Sequence, residues 1–340
     1  MAVLLYADDR FLQHDTGPYH PERPARLTAV DDGLTVHELE DAVSRVRARP
    51  ATDVELQRVH PEAFVRGIEH FCRSGRTHVD ADTVVSEDSA DLARLASGAG
   101  LDAVERLRAG QGGAAFVAVR PPGHHATSTR AMGFCLFNHA AVTAAALADA
   151  GERVAVVDID AHHGNGTQDI FYRDPRVLYV SWHQHPLYPG TGRADEVGAG
   201  PGTGTTMNIP MPPGATGEHY RRSVAELVAA AVEAHGATWL VLSAGFDAHR
   251  DDPLTDLGLT SGDFGDITAD LATLVPPGRV VAFLEGGYDL AAVAHSAAAT
   301  VAALDGRRLH PEAPSGGGPG GEAVARGGAG RERLAADGPG

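Results

Sequence analysis

The segment VAVVDIDAHHGNG over residues 154–166 constrains this chain more than any other stretch of it. An apolar run of strand length ends in Asp158, Asp160, His162 and His163, then breaks at Gly164 and Gly166. In open α/β sheets, ligands bind in the crevice beyond the carboxyl ends of parallel strands. Extended backbone sends residues two apart to the same side, so Asp160 and His162 share one direction. Carboxylate oxygen beside imidazole nitrogen is a partial shell for zinc or another divalent first-row metal. Read alone, the segment also fits a strand-end turn whose Asp and His satisfy backbone groups.

The surrounding pattern predicts an α/β fold: a single-domain open parallel sheet with helices on both faces. Strands are expected at the N-terminus and over 114–119, 154–159, 177–181, 239–243 and 280–284. The runs at 239–243 and 280–284 are continuously apolar, as expected when both sheet faces are covered. Helices are expected over 138–150, from about Gly166, and over 220–235. The Gly-rich loop 198–204 lacks a following Lys-Ser/Thr and so lacks the signature of a phosphate cradle. One domain is expected over residues 1–309. Beyond it, residues 310–340 are rich in Gly, lack hydrophobic periodicity and are expected to form a disordered tail.

Composition excludes several classes. A net charge of −17 on 340 residues argues against a nucleic-acid partner, which needs a basic footprint. It suits a cationic small molecule or a basic peptide better. All 28 basic residues are Arg, a pattern of high-GC bacterial codon usage into which no mechanism is read. Cys72 and Cys135 are the only cysteines, too few for a disulfide framework or a Cys-rich zinc knuckle, so a reducing cytoplasm is expected. The N-terminal MAVLLYADDR lacks the basic start and cleavage region of a signal peptide. No apolar run is long enough to cross a membrane.

Three further expected strands end in polar residues. RPPGHHA (120–126), SAGFDAHRDDP (243–253) and LEGGYDL (284–290) join the first segment. Asp247 would add a third ligand to Asp160 and His162; three protein ligands with an open position mark catalytic rather than structural zinc. The cation lowers the pKa of a coordinated water, but two carboxylate ligands weaken that effect. A neighbouring base is therefore needed, and His124 and His125 are the candidates. Each requires a partner on its far ring nitrogen, and Asp158 and Asn165 are free to serve. Tyr288 follows two glycines, whose backbone freedom would let its phenol approach a carbonyl oxyanion. Singly, each residue has a plainer reading: turn histidines, a helix-capping Asp247, a core Tyr288. Together, at four strand ends, they describe metal-assisted hydrolysis of an amide.

These residues sit in motifs that resemble the histone deacetylase superfamily, which shares its fold with arginase. The closest likeness is to its bacterial class II-type deacetylases and amidohydrolases, including acetylpolyamine amidohydrolases. The motifs are HPERPARL (20–27), RPPGHHA (120–126), GFCLFN (133–138), DIDAHHGNG (158–166), YPGTG (188–192), AGFD (244–247) and EGGYD (285–289), in the family's order over nearly all but the tail. The resemblance implies the arginase/deacetylase fold and Zn2+ on Asp160, His162 and Asp247, with Fe2+ an open alternative. It makes His125 the general base and acid, paired with Asn165 where many relatives carry Asp. It makes His124 an electrostatic helper paired with Asp158, and Tyr288 the residue that polarises the scissile carbonyl. Phe134, with Gly133 before it, and Tyr188 would flank an acyl-lysine stem, Asp82 would stand at the rim, and Arg26 would line an internal channel. A structural K+ is implied near Asp158, Asp160, His162, Ser181 and Trp182. Some polyamine-selective relatives carry Glu near the position of Leu254; the Leu here lowers the acetylpolyamine reading without excluding it, and an acetylated lysine peptide or a small acetylated amine is the expected substrate.

Two rivals stand beside this expectation. A non-catalytic acyl-lysine reader would usually have lost a ligand or the tyrosine, and neither is missing. A two-manganese ureohydrolase needs more carboxylate ligands than these motifs offer. Oligomeric state and acyl length are not encoded in any recognisable feature.

Overall fold

The computed structural model describes residues 1–327. Its strands are β1 (Val3–Tyr6), β2 (Val43–Arg45), β3 (Ala114–Val117), β4 (Val154–Asp158), β5 (Val177–Gln184), β6 (Thr206–Met211), β7 (Trp239–Ala244) and β8 (Val280–Leu284). They form one sheet in the order β2-β1-β3-β8-β7-β4-β5-β6, and every neighbouring pair is parallel. Every residue of β1, β3, β4, β5, β7 and β8 is buried, which is why, apart from Asp158, Ser243 and the Ser181, His183 and Gln184 of β5, their sequences are apolar without alternation. Two groups of helices supply the cover. Ala25–Val36, Ser261–Ala272 and Leu290–Leu304 pack together, and Glu62–Arg73, Ser89–Arg108 and His139–Asp149 form the other group.

The strand order has a direct consequence. β3, β8, β7 and β4 stand side by side, so four segments far apart in sequence deliver their carboxyl ends to one crevice. Local chemistry fixes the helices that follow. Asn138 accepts the Ala141 N–H at 2.9 Å and caps the helix His139–Asp149, leaving the chain extended just before it.

Three expectations need correction. The strand expected to stop at Ser181 continues to Gln184, because Trp182, His183 and Gln184 are all buried. The polar ends of the last two are satisfied by the Gly192 carbonyl at 2.8 Å and by Asp256 at 3.1 Å. The helix expected over 220–235 begins at Gly217 and passes through a π turn at Val224–Val228. The third concerns the tail. Residues 310–327 pack on the domain, ending in a helix over 321–327. Ser315 bonds Asp263 at 2.5 Å, Gly317 bonds Glu218 at 2.6 Å, and Ala323 and Val324 are 1% exposed. Glycine composition misleads here because Gly317, Gly318 and Gly320 adopt positive φ, and the docking combines these polar bonds with burial of Ala323 and Val324. The rest of the expected tail, 328–340, lies outside the described residues. Among the described residues, no helix is long and apolar enough to cross a membrane.

Candidate active site

The loop after β3 places His124 and His125 because it is pinned from behind. The Gly123 and His124 N–H groups donate to Glu285 Oε2 at 2.7 and 3.1 Å, and Ser243 donates to the other oxygen at 3.2 Å. Glu285, at the end of β8, is wholly buried, and burial pushes its carboxyl up to about 7. Arg120 anchors the start of the same loop through Glu22, at 2.7 Å for one of its contacts, and through the His14 carbonyl at 3.1 Å.

The two imidazoles sit side by side, ring centroids 4.0 Å apart, yet their surroundings oppose each other. His124 Nδ1 donates to Asp158 Oδ2 at 3.0 Å. Burial alone would keep its ring neutral, but Asp160 and Asp158 outweigh it and raise the pKa well above the usual range. His125 Nδ1 donates to the neutral Asn165 Oδ1 at 2.8 Å. Burial, with His124 and His162 beside it, drives its pKa well down. The surroundings thus favour a proton on one ring and oppose a second proton on its neighbour, whose Nδ1 is already engaged by Asn165.

Asp160, His162 and Asp247 each offer one ligand atom, all within 4.8 Å of one another. Backbone N–H groups fix the carboxylates: Gly286 N donates to Asp160 Oδ2 and Ala161 N to Asp247 Oδ1, both at 2.7 Å. The remaining oxygens, Asp160 Oδ1 and Asp247 Oδ2, lie 3.3 and 2.8 Å from His162 Nδ1. Burial and the Asp160 charge push Asp247 up to about 7. Burial also opposes ionisation of Asp160, but His124 and His162 hold it well below the carboxylate range. His162 rises to about 10, burial being overcome by Asp247 and Asp160. Three converging donors that call for positive charge in a buried place fit a divalent cation such as Zn2+ or Fe2+.

Above them lies a pocket of about 240 Å³, lined by Asp82, Pro122, His124, His125, Gly133, Phe134, His162, Leu187, Tyr188, Leu254, Gly286 and Tyr288. Tyr188 meets the His125 ring edge-on at 5.2 Å and Phe134 meets Tyr288 at 5.9 Å, so aromatic walls frame the passage to the donors. Phe134 is held at φ +68°, and at Gly133 (φ +56°) a Cβ would lie 2.5 Å from the His125 ring. Glycine is required there so that the loop can press against the histidine. Asp82 and the 39% exposed Leu254 stand at the mouth. Tyr288 is 9% exposed; its backbone N–H donates to Asp252 Oδ2 at 2.7 Å and the Arg26 guanidinium lies 5.1 Å from its ring centre.

Every residue singled out for catalysis, metal binding or substrate contact therefore lies at this pocket, in the donor cluster below it or in direct contact with them. Arg26 sits behind Tyr288, donating to the Gly287 carbonyl at 2.6 Å. Ser181 and Trp182 lie deeper, on β5; Ser181 is the register partner of Asp158 and bonds His183 at 2.9 Å, while Trp182 donates to Ser223 at 2.7 Å. Sequence reasoning gave no role to Glu285, Asp252, Glu22, Pro122 or Leu187. Leu187 adjoins Tyr188 and Pro122 stands two residues before His124 in the same motif, so position in the motif would have found those two. Glu285 and Asp252 take backbone N–H groups remote in sequence and Glu22 takes the Arg120 guanidinium 98 positions away, and no local signal marks them.

Residues 20–304 match the family model described as the histone deacetylase domain. The chain is 38% identical over 296 residues to a probable deacetylase of Archaeoglobus fulgidus, covering 85% of this chain and 82% of that one. It is 36% identical to a histone deacetylase-like amidohydrolase of Pseudomonas aeruginosa, covering 90% and 87%. The crystal structure of the HDA15 HD domain superposes with a TM-score of 0.88 at 36% identity, covering 96% of this chain and 94% of that one. The protein has the arginase/deacetylase fold and belongs to the histone deacetylase family.

Proposed function

We propose that the protein is a zinc-dependent amidohydrolase that removes acetyl or other acyl groups from lysine side chains or small acetylated amines. The observation that carries this reading is the meeting of Asp160, His162 and Asp247 at the base of an aromatic-walled pocket that His125 also lines. Held by those three residues, the cation would supply Lewis acidity, polarising the amide carbonyl and lowering the pKa of water.

The chain's own groups do the rest. Phe134 and Tyr188 flank the unbranched stem, while Asp82 at the rim accepts from the substrate backbone. Tyr288 donates its hydroxyl to the carbonyl oxygen as negative charge develops there. His125 Nε2 accepts a proton from the attacking water and returns it to the leaving nitrogen; Asn165 fixes its tautomer. The His124–Asp158 pair keeps positive charge beside the reacting centre. A structural K+ near Asp158, Asp160, His162, Ser181 and Trp182, and a cytoplasmic setting, belong to the same proposal. Leu254 stands where a Glu would attract a second amine, which lowers the acetylpolyamine reading without excluding it, since Asp82 lies at the same mouth.

A panel of acyl-lysine peptides and acetylated polyamines tests this on metal-loaded protein. The chain has no Lys, so a lysine-deacylation signal reports only the added peptide. Turnover should vanish with a chelator and return with Zn2+. Tyr288→Phe and Asp247→Ala should each cut kcat/KM at least ~10-fold. Full activity in folded Asp247→Ala would remove the metal assignment.

A further inference from the structure

We propose that Glu312 is a positioning residue for Tyr288, acting through the loop that follows Asp247; the inference rests on the hydrolase reading given above. The matched family domain ends at residue 304, so Glu312 lies in the segment beyond it.

Its carboxylate gathers donors from two elements. His249 Nε2 lies at 2.7 Å, Ser261 N at 3.1 Å and Ser261 Oγ at 2.9 Å, and Arg250 Nη2 completes the set. His249 is 2% exposed, and its Nδ1 accepts the Asp251 N–H at 3.2 Å. That contact places the ring proton on Nε2, where Glu312 receives it. The loop is then held along its length. Arg250 N donates to the Leu259 carbonyl at 2.9 Å and Asp252 N to the His249 carbonyl at 3.0 Å.

Asp252 carries the effect to the pocket. It is 5% exposed, with one oxygen accepting from Leu254 N at 2.9 Å and the other from Tyr288 N at 2.7 Å. Tyr288 follows Gly286 and Gly287, the latter at φ +116°; the Gly286 N–H on Asp160 and the Gly287 carbonyl on Arg26 hold the turn before it. The Asp252 bond fixes the Tyr288 backbone itself, and Glu312 sets where Asp252 stands. Small displacements of a group that must meet a reacting atom cost rate steeply.

The test uses the full chain and reads two things. In Glu312→Ala, kcat on an acyl-lysine peptide should fall about 10-fold with KM within about twofold. In a Tyr288→Phe background the same substitution should change kcat by less than about twofold, since interacting residues are non-additive. Amide hydrogen exchange supplies the second readout: Tyr288 N–H should exchange at least ~10-fold faster in Glu312→Ala, with the helix His139–Asp149 unchanged. Equal kcat losses in both backgrounds, or faster exchange confined to residues 249–251 and 261, would overturn the proposal. If the wild type turns over nothing, the hydrolase reading fails, while the exchange at Tyr288 still decides the coupling. Should Glu312→Ala not fold, Glu312→Gln keeps one acceptor and must show the same selective effect on Tyr288; its absence overturns the proposal equally.

Discussion

Asn165 shows how much a single partner decides. His124 and His125 are neighbours in sequence and in space, but one faces the carboxylate of Asp158 and the other a neutral amide. The amide leaves His125 uncharged and ready to take a proton, whereas an anion in its place would hold the ring cationic more of the time. Asn165 also fixes the tautomer, because its Oδ1 can only accept from Nδ1–H. Asn165→Ala should therefore leave a buried donor unpaired and let the ring reorient, lowering kcat/KM roughly 10- to 100-fold. Metal content by mass spectrometry should be unchanged. Loss of metal together with activity would show instead that Asn165 supports the donor cluster.

At the scale of the element, the site is a property of strand ends. The continuous apolar runs made β4, β7 and β8 legible, since burial on both faces leaves a strand no polar alternation. The candidate residues were legible for the converse reason: Asp158, Asp160, His162, Asp247 and Tyr288 interrupt that apolar pattern at the ends of those strands or just beyond. What the sequence concealed is how the ends are locked together. Glu285 holds the Gly123 N–H from 162 positions away, and Gly286 N holds Asp160 across 126; such separations leave no periodicity to read. Gly286 looked like freedom for Tyr288, but it also gives close approach. A Cβ there would lie 2.3 Å from Asp247 Oδ2 and 2.7 Å from Asp160 Oδ2. Gly286→Ala should displace both carboxylates, reducing bound metal well below one per chain while circular dichroism stays native. Stoichiometric metal in that variant would show that the carboxylates yield without losing the ion.

Across the whole molecule, burial of histidines reaches well beyond the site. His60 and His139 are at most 1% exposed and serve as neutral connectors. His60 Nε2 accepts the Asn138 N–H at 2.9 Å, and His139 Nε2 donates to the Pro121 carbonyl at 3.0 Å. They thus tie the helix start at 138–139 to the loop that carries His124 and His125, a packing role that a lone His in sequence does not announce. Burial lowers both to about 4 from the usual 6.5. The sign follows from which state binds protons first. As pH falls below 6.5 the unfolded chain protonates these rings while the fold keeps them neutral, so their contribution is complete above 6.5 and lost between 6.5 and 4. Each ring should make stability fall by about 1.4 kcal/mol per pH unit across that window. Other titrating groups also shape the total profile, so the decisive comparison is between proteins: urea unfolding of the wild type, His60→Gln and His139→Gln at pH 7.5, 6.0 and 5.0. Each variant should show a profile flatter than the wild type by about that slope. Parallel profiles would mean that these rings gain protons in the fold as readily as in the unfolded chain, and that the segment beneath the catalytic loop admits charge.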